Sequence, residues 1–153
     1  MRKDKKGTTT LLFSAVFVCA DFSPSSLAVE NPDAPDYVAD FQNRAQVFED
    51  AVHQQARTTQ DTLKAYAEYE QFLDKELNRS YQSVSAKLDT DRKEKLKRSQ
   101  REWIKYRDAE FAFIAANWTN KDFGSSATLS RGAYRTTIMR DRVMILLNYL
   151  KNY

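Results

Sequence analysis

After Pro35 the chain contains no proline, and between Asp36 and Tyr153 the only glycines are Gly124 and Gly132. These two residue types are the strongest interrupters of regular structure, and what they leave uninterrupted is rich in Ala, Glu, Lys, Arg, Gln and Leu, which favour helix. Apolar residues recur there at three- and four-residue steps, and no stretch alternates as a strand would. The spacing predicts four helices, over residues 36–55, 59–88, 91–118 and 130–151. Their expected core stripes are Tyr37, Phe41, Ala45, Phe48 and Val52 on the first, and Leu63, Tyr66, Leu73, Leu77, Tyr81, Val84 and Leu88 on the second. The third carries Leu96, Trp103, Phe111, Ile114 and Trp118, and the fourth Tyr134, Ile138, Ile145 and Tyr149.

The connections order these helices. "LDTD" between the second and third is tight and supplies an N-cap at Asp89 or Asp91, so those two helices are expected to be antiparallel neighbours. Residues 117–132, "NWTNKDFGSSATLSRG", form the one long polar connection and hold both glycines. The fold class is therefore all-α: an antiparallel bundle of about four helices with one long polar loop before the last. A loop of that length either carries function or is slack.

The first 28 residues have a different character. Arg2, Lys3, Lys5 and Lys6 precede a short apolar run from Leu11 to Ala20, and Ser26-Leu27-Ala28 places small residues at −3 and −1 of a cleavage point. This is the layout of a secretory signal cut after Ala28, with an earlier cut after Ala20 as the alternative. Cys19 lies within the apolar run behind Phe17 and Val18; a lipid-attachment cysteine follows a small residue, so Cys19 reads as apolar filler and not as a lipid anchor. The expected organisation is a signal over 1–28, an extended lead-in over 29–36 and one helical domain over 37–153, in a periplasmic or secreted protein. The mature chain would then have no cysteine, no disulfide and no membrane span.

Removing the signal takes away four positive and two negative side chains, and the formal net charge falls from +3 to +1. A nucleic-acid binder carries a stronger positive field, so no nucleic-acid partner is expected. Enzyme chemistry is equally hard to place. His53 is the sole histidine, and there is no HExxH, no His/Cys cluster and no glycine-rich phosphate loop. No catalytic residue, metal site or cofactor is expected. The run "DRKEKLKRSQRE" over 91–102 holds six basic side chains and one apolar residue, Leu96. It reads as a solvated outer face, with a docking patch for an anionic polymer as the alternative.

Two residues break the third helix's apolar stripe: Gln100 and Arg107 lie on it. A guanidinium on an apolar seam needs carboxylate or amide oxygens to receive its donors. Asp74 and Asn78 stand beside the stripe of the second helix, so they are expected to meet Gln100, Arg107 and Asp108 across the seam as a structural polar layer that fixes helix register.

The same residues carry a family resemblance. "TTQDTLKAYAEYEQFLDKELNRSY", "LKRSQREWIKYRDAEF", the Gly-Ser loop and "YRTTIMRDRVMIL" resemble the LprI N-terminal-like family of lysozyme inhibitors. Thr59-Gln60, Asp74, Leu77-Asn78, Tyr81, Gln100, Trp103, Tyr106, Arg107-Asp108, Gly124-Ser125 and Arg142 stand where that pattern has them, over roughly residues 59–147. The chain departs from it at three positions that usually hold cysteine, here Tyr66, Phe111 and Tyr134, and at Met139, where the pattern has threonine. The resemblance implies an exported helical protein without catalytic activity, whose partner is a protein, a lysozyme in the family's named member.

Two functions follow as expectations. As a muramidase inhibitor the chain would present the polar loop to the enzyme's cleft, with Lys121, Ser125, Ser126 and Arg131 as contact residues. As an immunity or assembly module it would bind another envelope protein through a helix face, with Tyr69, Phe72 and Tyr106 as a candidate aromatic patch unless the first helix covers them. An ordered, protruding loop favours the first; a loop folded back beside an open aromatic patch favours the second.

Overall fold

The computed structural model describes residues 35–153; the expected signal, Cys19 and nearly all of the expected lead-in lie outside the described residues. Helix α1, Tyr37–Asp50, starts at Asp36, whose carboxylate accepts the Ala39 N–H at 3.0 Å. It widens into a π-helical turn over Ala51–Gln55, where His53 is exposed, and the chain then extends at Ala56. Helix α2, Thr59–Ala86, opens with a reciprocal cap: the Thr58 hydroxyl accepts the Asp61 N–H, and the Asp61 carboxylate accepts the Thr58 N–H, both at 3.1 Å. Helix α3, Thr90–Asn117, is capped by Asp89, which accepts the Arg92 N–H at 2.9 Å. All of these ends lie within two residues of the expected ones.

The connection before the last helix is shorter than its polarity predicts. Thr119 caps a single helical turn, α4, Asn120–Phe123, which Gly124 ends with a left-handed φ of 57°. Helix α5, Ser126–Leu150, begins directly afterwards, four residues ahead of the expected start. Ser, Ala and Thr have no strong objection to helix, and here burial of Ala127 draws the segment into α5.

Side-chain pairs give the helix directions. Arg44 meets Glu76 and Phe48 stacks near Tyr69, so α1 and α2 are antiparallel. The Tyr66 ring lies against Gly132 and Glu70 pairs with Arg135, numbers that rise together, so α2 and α5 are parallel. Trp118 meets Tyr134 and Trp103 meets Arg142, so α3 runs antiparallel to α5. Helix α3 is the return stroke that lets two parallel helices lie side by side.

Core and seams follow from this. Phe41 and Ala45 of α1, Tyr69, Leu73 and Leu77 of α2, and Met139, Val143, Leu146 and Leu150 of α5 form the main cluster, joined by Val84 and Leu96. Tyr66 sits so tightly on Gly132 that a Cβ there would penetrate its ring. The expected stripe of the last helix is corrected: Tyr134, Ile145 and Tyr149 are exposed, while Met139, Val143, Leu146 and Leu150 face inward. Helix α5 has two apolar stripes about a third of a turn apart, and the aliphatic one packs against α1 and α2. The expected neighbour relation is also refined. The tight turn does make α2 and α3 antiparallel, yet α3 leans on α5, and α2 and α3 diverge around an open groove of about 500 Å³ floored by Met139.

Candidate functional site

Helix α3 is held to α5 by alternating cations and rings. The Arg142 guanidinium donates from Nε to Gln100 Oε1 at 3.0 Å and from Nη2 to Ser99 Oγ at 3.3 Å, and lies 5.8 Å from the Trp103 ring centre. Arg107 stands 5.5 Å from Trp103 and 5.8 Å from Phe111, and Arg135 lies 4.5 Å over Phe111. Arg135 also donates to Glu70 Oε2 on α2 at 2.7 Å, so one residue ties all three helices together. Each contact keeps a guanidinium against a π face with at least one donor turned to an oxygen, which is how arginine is accommodated on an apolar seam. Burial lowers the Arg142 guanidinium below its ordinary value and raises the Glu70 carboxyl above its own, the latter opposed by Arg135. The Arg135 Nε is buried without a hydrogen-bond partner.

This arrangement replaces the expected polar layer. Gln100 is on the seam, but its partner is Arg142 of α5. Arg107 donates to its own neighbour, Asp108 Oδ1, at 3.0 and 2.7 Å. Asn78 donates back along α2 to the Asp74 carbonyl at 2.9 Å and to its carboxylate at 3.4 Å, and both residues are exposed. Asp74 and Arg107 therefore face each other across the mouth of the α2–α3 groove, together with Gln71 and Lys75, without an ion pair between them. The long arginine stems cover Trp103 and Phe111 on the α5 side, where aspartate and asparagine are too short to do so.

Polar ties that the sequence reading missed hold the other helices. Arg44 grips Glu76 through two bonds, at 3.3 and 2.8 Å, and Glu49 receives both the Tyr69 hydroxyl at 2.8 Å and the Arg140 Nε at 3.1 Å. Burial and the Glu49 carboxylate push the Tyr69 phenol up, so it stays a donor. A usable signal existed for one tie: Arg135 and Arg142 recur seven residues apart, matching the eight-residue step from Trp103 to Phe111.

The four expected contact residues divide. Arg131 donates to Asn120 Oδ1 at 3.2 Å and Thr128 Oγ1 at 3.1 Å, and Ser126 donates to the Phe123 carbonyl at 2.6 Å, so both fasten α4 onto α5. Lys121 and Ser125 are exposed at the same corner. Among the candidate aromatics, Tyr69 is buried and Phe72 stacks 4.4 Å from Phe48 beneath α1, whereas Tyr106 is open to solvent. The three aromatic residues at the pattern's cysteine positions each pack near the start of α5, on different sides of it: Tyr66 on Gly132, Phe111 under Arg135, and Tyr134 against Trp118. Ring packing thus ties α2 and α3 to the first turns of α5.

Among the described residues no group of three or more His, Cys, Asp and Glu side chains could hold a metal, and no helix is long and apolar enough to cross a membrane. Fold and seam together define an all-helical module in which Arg44, Arg135, Arg140 and Arg142 join the helices. The family model described as lysozyme inhibitor LprI matches residues 50–146, and the chain belongs to that family. No curated protein and no solved structure matches it.

Proposed function

We propose that this protein is an exported, non-catalytic inhibitor that binds a lysozyme-like muramidase. The observation that carries the reading is the family match, which spans the π-turn, α2, α3, α4 and most of α5. The signal-like first 28 residues support export. A muramidase works with two carboxylates in a cleft, and an inhibitor acts by filling that cleft or its approaches. At the α4–α5 corner, Lys121 and Ser125 are the exposed groups able to approach such carboxylates, while Arg131 and Ser126 keep the corner rigid.

The direct test is a cell-wall clearing assay with the purified protein against animal c-type, animal g-type and bacterial muramidases. Inhibition of one class at near-stoichiometric ratio is the expected result. Undiminished clearing by every class at large excess would sink the reading. Lys121→Ala is expected to weaken inhibition without moving the melting temperature. The open Tyr106 and the tied-down corner favour one element of the immunity-module alternative, namely binding through a helix face, and capture of a non-muramidase envelope protein at that face would decide for it.

A further inference from the structure

Ser99, Tyr106 and Phe113 succeed one another at seven-residue steps along one side of α3, and Tyr134, Ile138, Ile145 and Tyr149 share a side of α5. Two contacts set these sides next to each other: the Arg142–Ser99 bond at 3.3 Å, and the Trp118–Tyr134 ring pair at 4.5 Å, to which Phe113 adds an edge at 6.2 Å. The seam therefore opens, on the side away from the α2–α3 groove, onto a strip of large apolar side chains. Tyr106, Phe113, Tyr134, Ile145 and Tyr149 are each between 43% and 58% exposed. Scattered exposed residues need no explanation, but exposed rings and isoleucines aligned along adjoining sides of two helices do.

The charges within this strip point to its occupant. Glu110 stands one turn from both Tyr106 and Phe113, and Asp141 stands between Ile138 and Ile145. On the outer face of α3 the acids are all matched: Asp91 with Lys95 at 2.6 Å, Glu94 with Lys97 at 3.5 Å and Glu102 with Lys105 at 2.9 Å. Glu110 and Asp141 have no such partner among the described residues. Unmatched carboxylates set among open aromatic faces make a surface that receives guanidinium and ammonium groups, by ion pairing and by cation–π contact. Tyrosine and tryptophan are also the residues that dominate the energetics of protein interfaces.

We propose that the α3–α5 aromatic strip is the face with which the protein grips its enzyme partner, and that the matching surface of that partner presents lysine and arginine side chains. This rests on the muramidase reading and extends it. The strip ends at Trp118 beside α4, so a partner seated on it is brought up to the Lys121 corner.

The experiment measures dissociation constants and association rates for the muramidase inhibited in the clearing assay. The purified protein is compared with Tyr106→Ser, Tyr149→Ser and the double charge reversal Glu110→Lys/Asp141→Lys. Each serine variant is expected to weaken binding tenfold or more. The charge reversal is expected to slow association at low salt, and its rate to lose most of its salt dependence. Melting temperature and circular dichroism should stay at the parent values, and any variant that melts early is replaced by Tyr106→Phe/Glu110→Gln, which keeps the ring. Dissociation constants within twofold of the parent in all variants, with parental binding intact, would overturn the strip and leave the inhibitor reading standing. Absence of binding by the parent to every muramidase would overturn both. A parent dimer that Tyr106→Ser splits, with muramidase binding retained, would make the strip a self-contact and likewise overturn the proposal.

Discussion

Helices α2 and α3 have the same length, 28 residues, and both lie along α5. Yet α2 buries eight of its residues and α3 only Leu96 and Ile114. The α2–α5 seam is close-packed: Leu73 and Val143 are wholly covered, and Tyr66 occupies the space a side chain at position 132 would need. The α3–α5 seam is a ladder of guanidinium groups and rings, open along both edges. Equal length on a common support thus gives two different roles. Apolar area removed from water sets the stability of the first seam, while the second exchanges burial for a fixed orientation and leaves α3 with surface to present.

That contrast can be broken at several points. The largest effect is expected in the tight seam, where Leu73→Ala removes a fully covered side chain and should cost about 2–5 kcal/mol, read as a lower urea midpoint. If α2 were as loosely held as α3, the loss would be well under half of that. Gly132→Ala comes next. The new Cβ would gain helix propensity of about 1 kcal/mol but would force the Tyr66 ring aside, at about 1–3 kcal/mol, so net destabilisation is expected. A more stable protein would show that the ring moves freely.

In the looser seam, Arg142→Met leaves Gln100 Oε1 without its donor and should cost about 1 kcal/mol. Arg107→Met removes a bond to an adjacent exposed residue and should cost less, with partner binding retained; a larger loss than for Arg142 would reverse the assignment of seam and surface. The smallest effect concerns the turn between the two helices. The Arg92 N–H and guanidinium hold the Asp89 carboxyl below its ordinary value of 3.8. Its folded-state value is thus depressed, so its contribution is complete above the ordinary value and is lost as pH falls through the folded one. The gap in urea midpoint between the parent and Asp89→Ala should accordingly be present at neutral pH and narrow below pH 3.8. A gap that does not change with pH would remove the charge from the account of this cap.

Much of the helical framework was legible because it depends on local rules. Missing prolines, the cap in the Asp89–Asp91 turn, and apolar repeats at three and four residues set the helices within a few residues of where they lie. The α4 corner was misjudged because its serines and threonine are compatible with either loop or helix, and the choice fell to burial of Ala127. Gln100 and Arg107 are legible as polar residues on an apolar stripe. Their partners were misassigned because a tight turn shows which helices are joined and not which faces meet.

The sequence by itself determined that this chain is helical, where its first three long helices begin, and that it falls in the LprI family, since propensity, capping and motif spacing are properties of neighbouring residues. Tertiary structure alone decided that α5 turns its aliphatic stripe inward and its aromatic stripe outward, that α3 rests on α5 and not on α2, and that Arg142 and not Asp74 or Asn78 satisfies Gln100. A helix with two apolar faces and a polar residue with several reachable partners are each compatible with more than one packing, and only the summed burial of all the helices selects among them.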